Sequence, residues 1–167
     1  GGIVYFPPGT YRIASNITFA SDITLYFSNG AKLSIDAVKI VTINGPTNEE
    51  ATHRFSGAGS IAGDIKNNNL QLEWWGSVGD GVTVNTTNMQ SAVNYAVSVG
   101  KTELYVTPGN YLYGVLTSTS GITFIGNDVT LTGTTVLKLT SLAALSADVA
   151  QRGVNVKSAP YNAVGDD

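Results

Sequence analysis

The stretch that decides the fold is IVYFPPGTY at residues 3–11, which returns as ELYVTPGNY at residues 103–111. The second proline, the glycine and the final tyrosine of this word recur 100 positions later as the same residue types. A second word, SVGDG at residues 77–81, is echoed by AVGDD at residues 163–167. Self-similarity at long spacing is typical of repeat architectures, so we predict a chain built from repeated units.

These repeats divide the chain into three predicted parts. Residues 1–72 are predicted to hold the C-terminal coils of one unit, and residues 73–145 a helix and the first coils of a second. Residues 146–167 are predicted to be a linker and the start of a further unit, next to a weaker helical stretch at residues 142–150. The chain is therefore expected to be a fragment of a longer tandem array.

Short strand-like words follow one another closely in both units. They are rich in Ile, Val, Tyr, Phe and Thr, which favour strands, and Gly, Asn, Asp and Ser separate them as turn residues. Intervals this short favour a solenoid over the longer hairpins of a β-sandwich, although a sandwich also fits an all-β chain. The predicted strands are residues 3–6, 11–13, 17–19, 23–27, 32–35 and 39–43, then 103–106, 111–113, 115–117, 122–125, 129–131 and 136–139.

One segment, residues 86–99, has a helical pattern instead. From Met89 onward its apolar residues follow i, i+3, i+4, i+7 and i+8 spacing, which indicates an amphipathic α-helix. Thr87 followed by Gln90 predicts a capping box, and Gly100 supplies the stop. The first coil of a solenoid exposes core and strand edges, so we interpret this helix as a cap over that end.

Composition excludes several classes of protein. Charged residues make up 13% of the 167 residues, about half the ~25% typical of soluble domains, and the net charge is −3. Nine scattered Lys and Arg residues argue against nucleic-acid binding and against a polybasic membrane-surface protein. The absence of Cys and the single histidine, His53, argue against thiol chemistry and multi-histidine metal sites, so we expect no cofactor and no metal. No apolar run approaches the ~18 residues of a membrane span, so we expect no membrane insertion.

A resemblance is carried by EWWGSVGDGVT at residues 73–83, followed by the helix and by the Pro-Gly-x-Tyr strand at residues 108–111. This arrangement resembles the pectate-lyase-like right-handed parallel β-helix family, with phage tailspikes and tail fibres as the closest likeness. Residues 1–11 are similar to the family's segment just after its own capping helix. Where the family usually places two consecutive Asp before the helix, this chain has Val84 and Asn85, which weakens any role for acids there.

The resemblance implies an all-β, right-handed parallel β-helix with a capping helix at about residues 86–99. It further implies a homotrimeric virion appendage that contacts other tail proteins and meets bacterial surface polysaccharide. The function expected for this segment is a structural shaft that binds host glycan. Two alternatives stay open: a depolymerase that cuts capsule or lipopolysaccharide as a hydrolase or lyase, and a secreted adhesin or pectinase-like protein.

Carboxylates are the first candidates for chemistry, because polysaccharide-cleaving β-helices usually work with Asp or Glu. Acids on adjacent coils would lie ~4.8 Å apart, close to the ~5–5.5 Å separation of retaining glycosidases. The acids of this chain are mostly isolated beside turn residues, which favours turn or surface roles and leaves the catalytic residues unknown. The candidates are Asp22, Asp36, Asp64, Glu73, Glu103 and Asp128.

Aromatic residues are the candidates for glycan binding. Trp75 could offer a sugar-stacking surface, but neighbouring residues on a strand point to opposite sides, so Trp74 and Trp75 could not both face a ligand. Their place before the helix favours burial against it. Tyr111 and Tyr113 share one face of a strand, and they either line a saccharide groove or stack inside the core.

The densest charge cluster is residues 49–54, which contains His53 and Arg54. It could be a glycan-binding loop in which His53 titrates near neutral pH and Arg54 grips an acidic sugar. The competing interpretation is an exposed connection with mutually compensating charges, and the resemblance favours it. For Asp80 we predict a tight turn in which its side chain bonds the backbone, because the surrounding GDG lacks the lysine of a phosphate-binding loop.

Overall fold

The computed structural model describes residues 1–136 of the chain. The first part consists of short strands, and the second adds a 3₁₀ helix and one α-helix to further strands. The first set is β1 (Gly2–Phe6), β2 (Gly9–Ile13), β3 (Ile17–Phe19), β4 (Ile23–Phe27), β5 (Ala31–Ile35), β6 (Ile40–Ile43), β7 (Phe55–Gly57) and β8 (Ser60–Ala62). The second is the 3₁₀ helix Leu72–Trp75, β9 (Asp80–Val84), α1 (Thr86–Ser98), β10 (Glu103–Tyr105), β11 (Gly109–Thr117), β12 (Thr123–Ile125) and β13 (Val129–Val136).

Every strand pair that the structure describes is parallel, and the partners lie 19 to 24 positions apart along the chain, except that β9 and β11 pair across 28 to 30 positions. β1 pairs with β4, β2 with β5 and then β7, and β3 with β6 and then β8. In the second of these sheets Gly9 lies beside Ala31, and Leu33 lies beside Phe55, so both pairings span the same offset in sequence. Each sheet therefore takes one strand from each successive stretch of chain.

The core follows from alternation along these strands. On β5 the buried residues Leu33 and Ile35 alternate with half-buried ones, and β4 buries Leu25 and Phe27 in the same way. Because paired strands are in register, equivalent side chains meet. The rings of Phe6 and Phe27 stack with centroids 4.7 Å apart. The sheets thus share one apolar interior.

The second set of strands begins beside the 3₁₀ helix. β10 pairs with β12, and β11 lies between β9 and β13. A bridge between Gln71 and Tyr105 ties this set to the segment that follows β8. α1 then packs its apolar stripe against the 3₁₀ helix, β10 and β11. The buried residues of α1 are Met89, Ala92, Val93, Tyr95 and Ala96.

The predicted capping box at the start of α1 is wrong. No side chain caps the helix, which begins at Thr86 after Asn85. The side-chain oxygen of Gln90 instead accepts a hydrogen bond from the Thr117 amide at 2.9 Å. The Thr86 hydroxyl accepts one from the Gly114 amide at 2.7 Å. These side chains are therefore engaged by the neighbouring strand β11, and they tether the helix to it.

The predicted all-β class is correct, and the predicted helix differs from α1 by one residue at its end. Two predicted strands, residues 111–113 and 115–117, form the single strand β11, because a register shift between Leu112 and Val115 absorbs the break without ending the pairing. The predicted end of the strand at 136–139, the helix at 142–150 and the unit at 146–167 lie outside the described residues. The proposed division into three units stays a prediction.

Candidate functional site

A cleft of about 390 Å³ lies between the outer strands β7 and β8 and the exposed face of α1. We call it the β7–α1 cleft. β7 and β8 are the last strands of their sheets, so their outer edges face the cleft and not another strand. Its lining residues are Ile35, His53, Phe55, Ser56, Gly57, Gly59, Ser60, Ile61, Trp75, Thr87, Asn88, Ser91, Asn94, Tyr95 and Ser98.

Two glycines shape the strand side of the cleft. At Gly57, which has φ 94°, an added Cβ would lie 2.2 Å from the carbonyl oxygen of Ile35. At Gly59 an added Cβ would lie 2.3 Å from the Ile35 side chain. The turn between β7 and β8 can therefore lie this close to β5 only because both positions lack a side chain.

The helix side of the cleft is polar and uncharged. The apolar stripe of α1 faces the core, so the opposite face turns Asn88, Ser91, Asn94 and Ser98 toward the cleft. Asn88 Nδ2 donates to the carbonyl oxygen of Gly76 at 2.8 Å. The hydroxyl groups of Ser91 and Ser98 donate to helix carbonyl groups at 2.9 and 2.7 Å. Short side chains held by local bonds leave this wall well ordered.

Aromatic residues form the apolar floor. Trp75 is 6% exposed and packs against Phe55, with centroids 5.5 Å apart, and against Tyr95, at 5.3 Å. The Tyr95 hydroxyl donates to the carbonyl oxygen of Gly63 and accepts from the Ile65 amide, both at 3.0 Å. Burial raises the pKa of Tyr95 to about 12, so its hydroxyl stays protonated. The floor therefore offers apolar surface but no free ring face.

His53 and Tyr95 are the titratable side chains in the lining of this cleft. Nε2 of His53 donates to the carbonyl oxygen of Phe55 at 2.9 Å, since a carbonyl can only accept. One side of the ring packs over Gly76, where an added Cβ would lie 2.8 Å from it. Desolvation lowers the pKa of His53, and the nearby Lys32 lowers it further, against the opposing effect of the Phe55 carbonyl. The ring is therefore neutral near pH 7, with Nδ1 as an acceptor.

The lining of the cleft combines amides, hydroxyl groups and aromatic side chains with one imidazole, that of His53. Among its lining residues none is Asp, Glu, Lys or Arg. Most glycoside hydrolases use two carboxylates beside the glycosidic bond, and no such pair lines the cleft. A neutral wall of amides and hydroxyls above an apolar floor instead matches a ligand with hydroxyl groups and apolar C–H faces.

Of the predicted glycan-binding residues, the structure brings only Trp75 to the cleft. Tyr111 is 1% exposed and Tyr113 is 9% exposed, so both occupy the buried alternative left open by the sequence. The Tyr111 hydroxyl donates to Oε1 of Glu73. Desolvation, together with that carboxylate, raises the pKa of Tyr111.

Trp74 is also buried, and both tryptophans lie on the 3₁₀ helix and not on a strand, so the strand argument for their orientation is wrong.

Arg54 contradicts the predicted sugar contact, and it departs from the rest of the charged cluster, in which Glu49, Glu50 and His53 are exposed as the competing interpretation predicts. It is completely buried, so it neither grips a sugar nor lies in an exposed connection. Its guanidinium carbon lies 4.4 Å from the centroid of the Trp74 ring and 5.4 Å from that of Phe27. It donates to the Thr47 hydroxyl at 2.7 Å and to the Glu50 carbonyl oxygen at 2.6 Å. Cation–π contacts and neutral acceptors hold this charge in the core.

The candidate carboxylates lie apart, in structural roles. Asp36 accepts two hydrogen bonds from Arg12 at 3.0 and 2.8 Å, which lower the pKa of Asp36. Asp64 pairs with Lys66. In the strand pairs within residues 1–136, no acid lies beside another acid. The same residues contain no group of three His, Cys, Asp or Glu side chains that could hold a metal.

The remaining acids are held by nearby groups. Asp22 lies in the turn before β4, where its backbone carbonyl oxygen accepts from the Gly2 amide at 3.1 Å, and Oε2 of Glu103 accepts from the Tyr105 hydroxyl at 3.4 Å. Asp128 lies in a turn with φ 54°. Glu73, the one buried acid among the candidates, accepts hydrogen bonds at Oε1 from the amide and hydroxyl of Thr107, both at 2.8 Å. Glu73 thus joins the 3₁₀ helix to the turn before β11.

The predicted bonding of the Asp80 side chain to the backbone is confirmed, although Asp80 is the first residue of strand β9 and not part of a separate turn. Its Oδ1 accepts from the amides of Val82 and Thr83 at 2.9 and 2.7 Å. Its Oδ2 accepts from the Thr83 hydroxyl at 2.6 Å. These bonds, with the Thr83 hydroxyl first, lower the pKa of Asp80 to about 2.

Three polar residues of the cleft were not predicted as site residues from the sequence: Asn88, Ser91 and Asn94. Their pattern was available, since they form the uncharged polar face opposite the predicted apolar stripe. The opposite wall of the cleft could not be predicted in the same way. It is formed by β7 and β8, which have only three residues each and give no clear strand pattern. Sequence spacing alone does not bring such short strands next to a helix that begins at Thr86.

Comparisons of the chain with protein-family models, with curated proteins and with solved structures returned no match. None of the helices in residues 1–136 is long and apolar enough to cross a membrane. What the β7–α1 cleft does is therefore inferred from its own geometry.

Proposed function

We propose that this chain is a segment of a right-handed parallel β-helix from a phage tailspike or tail fibre, and that it forms a rigid shaft and binds glycan of the bacterial surface. The parallel pairing of successive strands at a nearly constant offset in sequence supports the β-helix. The right-handed sense is favoured because parallel strand connections in one sheet are right-handed in about 98% of cases. The resemblance of residues 73–83 supports the virion assignment.

The observation that carries the binding role is the β7–α1 cleft. It combines amide and hydroxyl groups with an apolar floor, and its lining contains no carboxylate. A hydrolase of the usual two-carboxylate type would need a pair of acids at the bound sugar. Asp36 and Asp64 are engaged in ion pairs, Asp80 bonds the neighbouring backbone, and none of the three lines this cleft, so a hydrolytic function would depend on other groups.

Incubation of the 167-residue chain with purified surface polysaccharide from candidate host bacteria tests the proposal. We expect saturable binding, measured by isothermal titration calorimetry, without release of reducing ends or unsaturated uronates. Release of such ends, abolished by replacing a single carboxylate, would favour the depolymerase. Absence of binding to every host polysaccharide would contradict the proposed function.

A further inference from the structure

The amides in the β7–α1 cleft are oriented before any ligand binds. Oδ1 of Asn94 accepts from Gln90 Nε2 at 2.7 Å, so the NH₂ group of Asn94 is left as a free donor. Nδ2 of Asn88 donates to Gly76, so the carbonyl oxygen of Asn88 is left as a free acceptor. Both residues line the cleft, and they lie about 9 Å apart along the helix axis at ~1.5 Å per residue.

The opposite wall supplies further neutral groups. Nε2 of His53 is occupied by Phe55, which leaves Nδ1 without a partner in residues 1–136. The Ser60 hydroxyl likewise has no hydrogen-bond partner in the part of the chain that the structure describes. Backbone groups on the outer edge of β7 add to these, since that edge pairs with no strand. The cleft therefore offers donors and acceptors on two sides of one bound group.

The charge of the cleft limits the class of ligand. A carboxylate or phosphate that leaves water needs a cationic partner or several strong donors. The lining includes no Lys or Arg, and His53 is neutral near pH 7. The nearest arginine in sequence, Arg54, is buried in the core and has its donors directed away to Thr47 and Glu50. Lys32, the cation near His53, is not a lining residue, so an acidic sugar would meet no cationic partner in the lining itself.

An extended peptide is a poorer match than a sugar. A peptide could pair with the outer edges of β7 and β8, but each offers only three residues and the turn at Gly57 and Gly59 breaks the line between them. A compact ring with hydroxyl groups on its rim and C–H groups on its faces meets the donors, the acceptors and the apolar floor together. The volume, about 390 Å³, lies near the lower end of the roughly 300–1,000 Å³ range of small-molecule sites.

We propose that the β7–α1 cleft is a binding site for an uncharged sugar unit, in which the amide of Asn94 donates to the sugar, the carbonyl oxygen of Asn88 accepts from it, and the apolar floor around Trp75 contacts it. This inference rests on the proposed glycan-binding function and names its site and ligand class. In this proposal α1 has two roles: its apolar face packs against the core, and its polar face forms one wall of the sugar site.

The test uses the 167-residue chain and a panel of neutral, N-acetylated and uronic-acid oligosaccharides. We expect a neutral or N-acetylated member to bind and its uronic-acid counterpart to bind at least tenfold more weakly. Asn94→Asp removes the free donor and introduces a negative charge, so it should weaken neutral-sugar binding about tenfold or more. Asn127→Asp is the matched control, because Asn127 is exposed in the turn before β13 and outside the cleft.

Nuclear magnetic resonance locates the site independently of affinity. The side-chain amide of Asn94 and the indole of Trp75 should shift on titration with the bound sugar. Preferential binding of the acidic sugars, or shifts confined to residues outside the cleft, would overturn this inference and leave the proposed function in place. Tight binding of extended peptides with no sugar binding would overturn both. Thermal melting of Asn94→Asp checks that the variant is folded.

Discussion

Arg54 and Asn85 are polar residues that lie fully inside the protein. Burial lowers the pKa of Arg54 to about 10, with a partial opposing effect from Glu50, so the side chain remains charged at neutral pH. Two aromatic rings and two neutral oxygen acceptors compensate for its lost hydration. The rings of Phe27 and Trp74 belong to segments far apart in sequence, so this single residue connects β4 with the 3₁₀ helix.

Asn85 connects three segments through its amide. Its Oδ1 accepts from the Val78 amide at 2.7 Å. Its Nδ2 donates to the carbonyl oxygens of Val78, Thr83 and Leu112 at 2.9, 3.0 and 3.3 Å. The side chain at this position must accept a hydrogen bond from the Val78 amide and donate to carbonyl oxygens at the same time. An asparagine amide does both and has the length that these contacts need. Asn85 therefore holds the loop after the 3₁₀ helix against β9 and β11.

Asn85→Asp is expected to destabilise the protein by roughly 3 kcal/mol at pH 7, because a carboxylate would face carbonyl oxygens and three acceptors would lose their donor. These contacts raise the folded-state pKa of the new carboxyl above its unfolded value of ~3.9. Stability is then lost as pH rises from about 4 through the folded pKa, and it returns on acidification. Urea unfolding of the variant and the unmodified chain between pH 3 and pH 7 measures this. A stability difference independent of pH would contradict it, and Asn127→Asp serves as the exposed control.

The strands and the helix differ in how far the sequence specified them. β3 and β4 match the predicted bounds, because each has strong β-formers between turn residues. β7 and β8 were missed, since each is only three residues long and contains glycine, serine or alanine beside one large apolar residue. Their pairing with β5 and β6, and not their own propensity, makes them strands. The cleft depends on these two strands, and for that reason its wall could not be predicted.

α1 owes its position to one apolar stripe. Val93 is 0% exposed and lies at the centre of that stripe, between Met89 and Ala96. A helix of 13 residues is marginal alone, so packing supplies most of its stability. The polar face that lines the cleft is thus held by the apolar face behind it.

Val93→Asp places an unpaired charge in this interface, so we expect it to expose the adjoining strand ends and to cause aggregation, with a melting temperature lower by roughly 10 °C or more. Ser91→Asp adds the same charge on the exposed side of α1 and should melt close to the unmodified chain. Circular dichroism and light scattering during heating distinguish the two variants. A normal melting curve for Val93→Asp would contradict the packing role of the helix.

At the scale of the whole molecule, the exterior carries several large apolar residues. On β9 Val82 is 79% exposed and Val84 is 69% exposed, and Val115 on the neighbouring strand β11 is 51% exposed. Alternate positions on β9 place Val82 and Val84 on one face of an outer strand. The proposed homotrimer would place such a face against another copy.

We expect the chain to sediment as a trimer, with three times the mass of a single chain. Replacing Val82 and Val84 together by Lys should shift it toward the monomer, because the substitution adds charge to the face that would be covered. Val38→Lys is the matched control, since Val38 is 88% exposed in the turn between β5 and β6. A monomer at every concentration of the unmodified chain would contradict the proposed trimer and favour a secreted monomeric protein.

The equal offset within the β2–β5–β7 sheet has a consequence for how such a protein changes length over evolution. A tandem duplication as long as the offset between Gly9 and Ala31 would bring the copied strands of this sheet beside the neighbours that their originals had. Inward and outward faces would be preserved because the copied stretch keeps its own alternation. Recombination within the gene can therefore extend or shorten the molecule in whole steps, while α1 and its cleft are inherited intact.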